Sequence, residues 1–333
     1  MGKICLPLKN LKANPEFWDQ TLALIEKSFK YQPQFSFEKD FVTLMNRENA
    51  HHLYILTENE KVIAHLGVKI RDININGKRF PIAMMGGIAV DEKFRGKGLF
   101  SYLMSEVKKL HHQDVAAFIL WSDLPAMYEK HQFYLCGSQY PFSRRSEKNT
   151  FQQLINPTLD EKKKIREIHQ SFFQKHFAFV ERTESDWEEL FNTTSSKIFV
   201  NDRNNISSYF VQNKGQDLQN IIHEFATLEN RTEFLKQISH WGEVWMTQDY
   251  FHEGNAHFQF LLSAGSKFPM LVKHLTLNEV EVTLVNNEES HFKFKGNDYI
   301  MNCSEFFSGI FGPGRFSELK DHKDLFISGW DSI

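Results

Sequence analysis

Apolar residues first recur at helical spacing. Trp18, Leu22, Ile25 and Phe29 follow Asn14-Pro15-Glu16, where Asn14 can cap and Pro15 suits a first turn that needs no N–H. A second, shorter helix is expected over about 38–46. Strand patterns then take over at 53–57 and 62–68, separated by polar Glu58-Asn59-Glu60-Lys61. Another runs over 81–90, preceded by Asn76-Gly77, a two-residue hairpin turn whose members both tolerate positive φ. Three antiparallel strands are expected. Leu99, Leu103, Val107 and Leu110 share one face of a helix over about 99–111, and 115–121 reads as a buried strand. Ser122-Asp123-Leu124-Pro125 opens a short helix running to about 130, and 133–136 is one more strand.

The polar stretch 143–150, with Arg144-Arg145 and Lys148, is the linker candidate. Beyond it, Thr158 and Glu161 form a capping box ahead of Ile165, Ile168 and Phe172. Ser185-Asp186-Trp187-Glu188 opens another helix. Strand patterns follow at 197–200, 208–211 and 220–225, then a helix holding Phe234, Leu235 and Ile238, then a strand over 243–246. Helix, helix, three strands, helix, strand is thus read twice, without evident residue identity. From 257 onward the chain looks mostly strand-like (258–262, 270–275, 280–285) and carries a Gly-Pro-Gly turn at 312–314. The expected fold is mixed α/β: a mainly antiparallel sheet with flanking helices, in units of 1–145 and 151–333, the second ending in a C-terminal extension.

Composition fits two cores: 333 residues, 41% hydrophobic, 32 of them Phe, which excludes a disordered chain. Lys and Arg total 39 against 42 Asp and Glu, for a net charge of −3. No global positive field is present to hold nucleic acid or anionic lipid, so neither partner is expected. Cys5, Cys136 and Cys303 are too few and too scattered for a disulfide framework or a zinc site, which suits a reducing compartment. The first residues have no signal-like apolar region, and Leu6 stands where myristoylation wants Ser or Thr. No apolar run nears the roughly 18 residues of a membrane span, and a cytoplasmic location is expected. The pairs His51-His52 and His111-His112 lack ligand spacing, so no metal is expected.

Arg95-Gly96-Lys97-Gly98 is the segment that points to chemistry. It lies between a strand and a helix, where first-turn N–H groups lack intrahelical acceptors and carry partial positive charge. Glycine lets the backbone take positive φ and approach an anion closely. Arg95 and Lys97 add formal charge. The arrangement suits a pyrophosphate, although a solvated charged turn is an equal reading of the tetrapeptide alone. A Walker loop is excluded because Gly98 follows Lys97, and a dinucleotide fingerprint because no third Gly follows.

With its context, the segment resembles the GCN5-related N-acetyltransferase (GNAT) superfamily. The family's Arg/Gln-x-x-Gly-x-Gly/Ala is met by Arg95 to Leu99, with Phe100 in the place of the final Gly or Ala. Met127-Tyr128-Glu129-Lys130-His131-Gln132-Phe133 is similar to the family's Phe-Tyr-Glu-Lys-x-Gly-Phe block. The resemblance implies acetyl-CoA as co-substrate, with its pantetheine arm between splayed fourth and fifth strands. Ile88, Ala89 and Val90 would contact that arm, and Arg95, Gly96, Lys97, Gly98, Leu99 and Phe100 would hold the pyrophosphate. Trp121, Ser122 and Asp123 would line the cleft, with Tyr128 as general acid. For the base, His65, Asp123 and Glu129 are nominees. The two-unit pattern also resembles the Eis-type acetyltransferases, which implies a fourth, the carboxylate of Ile333. In the second unit the segment Ala226 to Glu233 has no Gly and carries Glu229 and Glu233, so a degenerate GNAT-like domain without a pyrophosphate site is expected.

The expected function is acetyl transfer from acetyl-CoA to a primary amine of a small molecule or peptide. The alternatives are a catalytically idle acyl-CoA-binding sensor and, against the charge balance, aminoacyl transfer from tRNA.

Overall fold

The structure, a computed structural model, describes residues 6–143, 150–247, 256–314 and 323–333. In the first half, β1 (Lys9–Asn10), α1 (Trp18–Ser28) and α2 (Phe37–Asp40) precede β2 (Leu53–Glu58), β3 (Lys61–Ile75) and β4 (Lys78–Val90). Then come α3 (Leu99–His111), β5 (Ala117–Leu120), α4 (Pro125–Glu129) and β6 (Tyr134–Phe142). The second half runs β7 (Gln152–Gln153), α5 (Leu159–Phe173), β8 (Ala178–Val180), α6 (Glu184–Phe191), β9 (Lys197–Val200), β10 (Ser208–Gln212), β11 (Ile221–Thr227), α7 (Arg231–Ile238) and β12 (Glu243–Met246). Last are β13 (His257–Ala264), α8 (Phe268–Leu275), β14 (Val280–Val285), β15 (Glu289–Phe294), β16 (Asn297–Asn302) and α9 (Cys303–Phe311).

Local sequence explains most boundaries. Asn76 and Gly77 both take positive φ between β3 and β4, as a two-residue hairpin requires. Thr158 and Glu161 close their capping box on α5, and Thr183 with Asp186 makes a second one on α6. Asn14 does not cap: its amide donates instead to the Asn10 carbonyl, and Pro15–Phe17 is a 3-10 turn ahead of α1. The helix expected at 38–46 shrinks to α2. Residues 270–275, expected as a strand, belong to helix α8. Phe268, Leu271, Val272 and Leu275 are its buried residues, spaced i, i+3, i+4, i+7, and Pro269 sits in its first turn. The linker candidates Arg144, Arg145 and Lys148 lie outside the described residues.

One sheet runs through the molecule, in the order β1-β2-β3-β4-β5-β13-β6-β12-β11-β10-β9-β7, with β8 pairing onto β3. Its parallel pairs are β4 with β5 and β11 with β12. These mark corresponding places in two copies of one pattern. The strand that completes each copy comes from the other half of the sequence: β13 pairs with β5, β6 pairs with β12, and β6 and β13 pair with each other. The exchange covers two edges that would otherwise lie open. It also places α8 and α9 on the first unit's sheet, where Phe268, Leu271, Phe306 and Phe307 share a core with Ile73, Ile82 and Met84. On the opposite face, α3 and Tyr128 pack against Leu66, Val68, Ala83 and Met85. A third core, around Trp187, Tyr209, Phe210 and Trp330, belongs to the second half.

Candidate functional site

β4 pairs with β5 only through Ile82–Ala117, Ala83–Phe118 and Met84–Ile119. Past Met84 the two strands have no further pairing, and β4 continues to Val90 bonded to β3 alone. A wedge therefore opens beside Met85 to Val90, among them Ile88, Ala89 and Val90. β4 is also irregular here. Its register with β3 shifts between Gly67–Gly86 and His65–Ala89, and Gly87 adopts φ 59°. Such a bulge turns a strand's backbone groups aside from the ladder. The Gly87 carbonyl lies 2.7 Å from His65 Nδ1. His65 is fully buried, and burial holds its pKa down to about 4. At neutral pH the ring is therefore uncharged and Nδ1 is the donor to that carbonyl. Its Nε2 has no partner among the described residues.

At the far end of β4 the Asp91 carboxylate accepts from the Lys93 N–H at 2.9 Å, closing a turn over Glu92–Phe94. Arg95 donates from Nε to the Val90 carbonyl at 3.2 Å, which ties the loop to the strand end. Gly96 and Gly98 take φ of 74° and 83°, and no atom lies within 4 Å of where a Gly96 Cβ would stand. Gly98 opens α3 without a side-chain cap, and the first helical bond runs from Tyr102 N–H back to Gly98. The N–H groups of Leu99, Phe100 and Ser101 thus have no acceptor within their own helix. Phe100 leans toward α4, its ring edge-on to Tyr128 at 5.5 Å and to His131 at 5.1 Å between centroids.

Tyr128 is buried against Phe100 and Phe133. Burial raises its pKa, and a hydrogen bond with Ser122 draws it partly back, so the phenol is neutral at physiological pH. The Ser122 hydroxyl also accepts from the Leu124 N–H, fixing the turn after β5. Asp123 and Glu129 are exposed. Phe100 and Ser122 thus both meet Tyr128, Arg95 is tied to the end of β4, and Asp123 and Glu129 stay exposed.

The other side is built from distant sequence. A Cβ on Gly86 would stand 3.0 Å from both the carbonyl carbon and oxygen of Ile333, and 3.1 Å from Leu44 Cδ2. Ile333 reaches this place because the six residues before the end are held from both halves. Asp331 is buried between Arg71 of β3 (2.6 Å) and Arg182, which grips it through Nη2 (2.7 Å) and Nε (2.9 Å). Arg182 also pairs with buried Glu224, and Arg71 with Asp186 at 2.9 Å. Together the two arginines hold the Asp331 carboxyl below the usual carboxylate range, against the opposing effect of burial. Lys214, 1% exposed, donates to the carbonyls of Trp330 (3.0 Å), Gly329 (3.2 Å) and Ser332. Of this lattice, the sequence assigns a site role to Ile333 and an anchoring role to Gly329 and Trp330, and none to Arg71, Arg182, Lys214 or Asp331. The sole local signal was Gly86-Gly87 within an apolar strand, a pattern that marks bulges and close backbone approach.

The second unit departs at the corresponding loop. Asn230 caps α7 by accepting from the Glu233 N–H, and Thr227 Oγ1 accepts from the Glu229 N–H. Here side chains of the chain itself take the Glu229 and Glu233 N–H groups, whereas α3 starts without a side-chain cap, and no glycine opens the turn.

Comparison with known proteins gives a domain match and a fold likeness. Residues 11–136 match the family model of the acetyltransferase (GNAT) domain. This part of the chain is a GNAT domain. The fold likeness extends much further. A GCN5-related N-acetyltransferase from Anabaena variabilis superposes with a TM-score of 0.60 at 15% identity, covering 91% of this chain and 89% of that one. Eis1 from Mycobacterium abscessus gives 0.58 at 10% identity, over 91% and 90%. N-myristoyltransferase from Saccharomyces cerevisiae, solved with myristoyl-CoA, gives 0.50 at 11% identity, over 79% and 80%. No curated protein matches the sequence. The likeness thus shows a GNAT-type fold in tandem over most of the chain. Among the described residues no helix is long and apolar enough to cross a membrane, and no cluster of His, Cys, Asp and Glu could hold a metal.

Proposed function

We propose that the protein transfers an acetyl group from acetyl-CoA to a primary amine of a small molecule or peptide. The first unit, residues 1–145, binds the co-substrate, and the second, 151–333, shapes the acceptor side. The observation that carries this reading is the wedge past Met84 with its uncapped helix. The N–H groups of Leu99, Phe100 and Ser101, without a partner among the described residues, the open space at Gly96 and the charges of Arg95 and Lys97 suit the pyrophosphate. Ile88, Ala89 and Val90 offer backbone groups to the pantetheine arm along the unpaired side of β4.

In the reaction an acceptor ammonium loses a proton to the base, its nitrogen attacks the thioester carbon and sheds a second proton to solvent, and the C–S bond breaks to release a thiolate. Tyr128, kept protonated by burial, supplies the proton that makes this leaving group a thiol. Ser122 orients the hydroxyl. The base belongs on the opposite side of β4, where Ile333 and the His65-braced bulge meet, and the Ile333 carboxyl is our nominee. His65 is already committed through Nδ1, and its depressed pKa makes it a poor proton acceptor near neutrality.

The test is a panel of amines with acetyl-CoA, scored by free-thiol release, on the wild type and on Tyr128→Phe. An acyltransferase shows amine-dependent release that falls by about a hundredfold in kcat in the variant, the scale of general acid catalysis, with the acetyl-CoA KM within twofold. No amine-dependent release from any acceptor would favour an acyl-CoA sensor instead.

A further inference from the structure

The second unit has its own strand split, and it is in use. β11 pairs in parallel with β12 only at Ile221–Glu243 and Ile222–Val244, and its register with β10 shifts at the next residue, His223. This repeats the β4–β5 split and the bulge beside it. Where the first unit leaves β4 without a neighbour, β11 receives the C-terminal tail. Gly329 N–H donates to the His223 carbonyl at 3.1 Å, and Ser328 Oγ donates to the Glu224 carboxylate at 2.6 Å. Trp330, fully buried, packs edge-on against Trp187 and Phe191, 5.9 Å from each.

We propose that this degenerate split is a socket for residues 328–331 and that Lys214 is a positioning residue for acyl transfer, holding Ser332 and Ile333 against the β4 bulge of the first unit. The proposal rests on the reading that this side of β4 faces the acceptor. Lys214 follows β10 and lies under the Phe41 ring of the first unit, 5.2 Å from its centroid. Its ammonium meets three tail carbonyls, at Gly329, Trp330 and Ser332. Asp331 fixes the tail's depth by bridging Arg71 of one unit to Arg182 of the other. Asp331 therefore anchors the tail, and Lys214 sets the path of the last two residues. A side chain that cannot donate leaves two buried carbonyls and a half-buried one unmet and frees Ile333 from Gly86.

The test compares Lys214→Met with wild type in the full chain, by hydrogen exchange of a peptide covering 325–333 and by kcat and KM. Expected are at least tenfold faster exchange in that peptide with α3 and β4 unchanged, and a kcat lower by tenfold or more with the acetyl-CoA KM within twofold. A merely structural lysine would raise exchange throughout the second unit or shift both constants. Lys214→Gln, which keeps a donor, should recover part of both effects, and it carries the same readings should the Met variant not fold. Unchanged exchange at 325–333 would overturn the socket assignment. Released exchange with an unchanged kcat would keep the socket and overturn its place in the reaction. A wild-type enzyme without amine-dependent thiol release would instead overturn the acyl-transfer reading, leaving the exchange result to stand alone.

Discussion

Gly86→Ala tests the acceptor side of β4 with one methyl group. Gly86 does not have a positive φ, so alanine meets no backbone penalty there. What it meets is Ile333: the added carbon would lie 3.0 Å from the carbonyl carbon and oxygen, where ordinary contacts run to about 3.5–4.0 Å. The shortfall is therefore about 0.5–1 Å. Leu44 Cδ2, at 3.1 Å, blocks a sideways escape, while Lys214 and Asp331 hold the tail two or three residues upstream. Left unrelieved, such overpacking costs about 1–3 kcal/mol. Swinging Ile333 away from the wedge relieves it most directly, since its own carbon and oxygen make the close contact. Misplacing a reacting group by about 1 Å lowers rate by about a hundredfold. We therefore expect kcat to fall between tenfold and a hundredfold in the thiol-release assay. The acetyl-CoA KM should stay within twofold, because the pyrophosphate loop lies at the other end of β4, and the thermal midpoint should drop by only a few degrees. A variant with wild-type kcat would refute the claim that Ile333 is held where acyl transfer occurs.

Other measurements address the rest of the site. Gly98→Asp forces a carboxylate and a side chain into φ 83° at the mouth of α3, so the acetyl-CoA KM should rise by tenfold or more, with Arg95→Ala raising it several-fold. No change in either would contradict the pyrophosphate assignment. Two residues appended after Ile333 should lower kcat sharply, and unchanged turnover would dismiss the Ile333 carboxyl as base. Burial holds His65 near pKa 4 and His223 near 3, both below the ordinary 6.5. The unfolded chain takes up these protons more readily, so their contribution is complete above about pH 7 and is lost progressively as pH falls from 6.5 toward those values, on the order of 3 kcal/mol for His65 and 5 kcal/mol for His223. Urea titrations should show that decline from pH 7 to 5, and a flat profile would argue against neutral, buried rings.

Much of the chemistry-bearing loop was legible because its signals are local. Gly96 and Gly98 announce positive φ, Leu99, Leu103 and Val107 announce the helix, and Tyr128 sits in a recognisable block one strand later. The error at 270–275 has an equally local cause: a short stretch with four apolar residues, Met270, Leu271, Val272 and Leu275, satisfies a buried strand and a helix alike, and only the partners of Phe268 and Leu271 in the first unit's core decide between them. Likewise, β6 and β13 were seen as strands, but their exchange between units was not, since the pairing partner of a strand is set by which uncovered edge lies beside it.

By itself the sequence determined the two-fold order of elements, the anion-ready turn at Arg95–Gly98 and the loss of that turn in the second half, because propensity, capping and glycine conformation act over a few residues. The tertiary structure alone decided that Arg71, Arg182, Lys214 and Asp331 meet, drawn from places as far apart as residues 71 and 331. Charges so distant leave no periodic trace along a chain. They become partners only when folding removes them from water, and a buried charge without one would be too costly to keep.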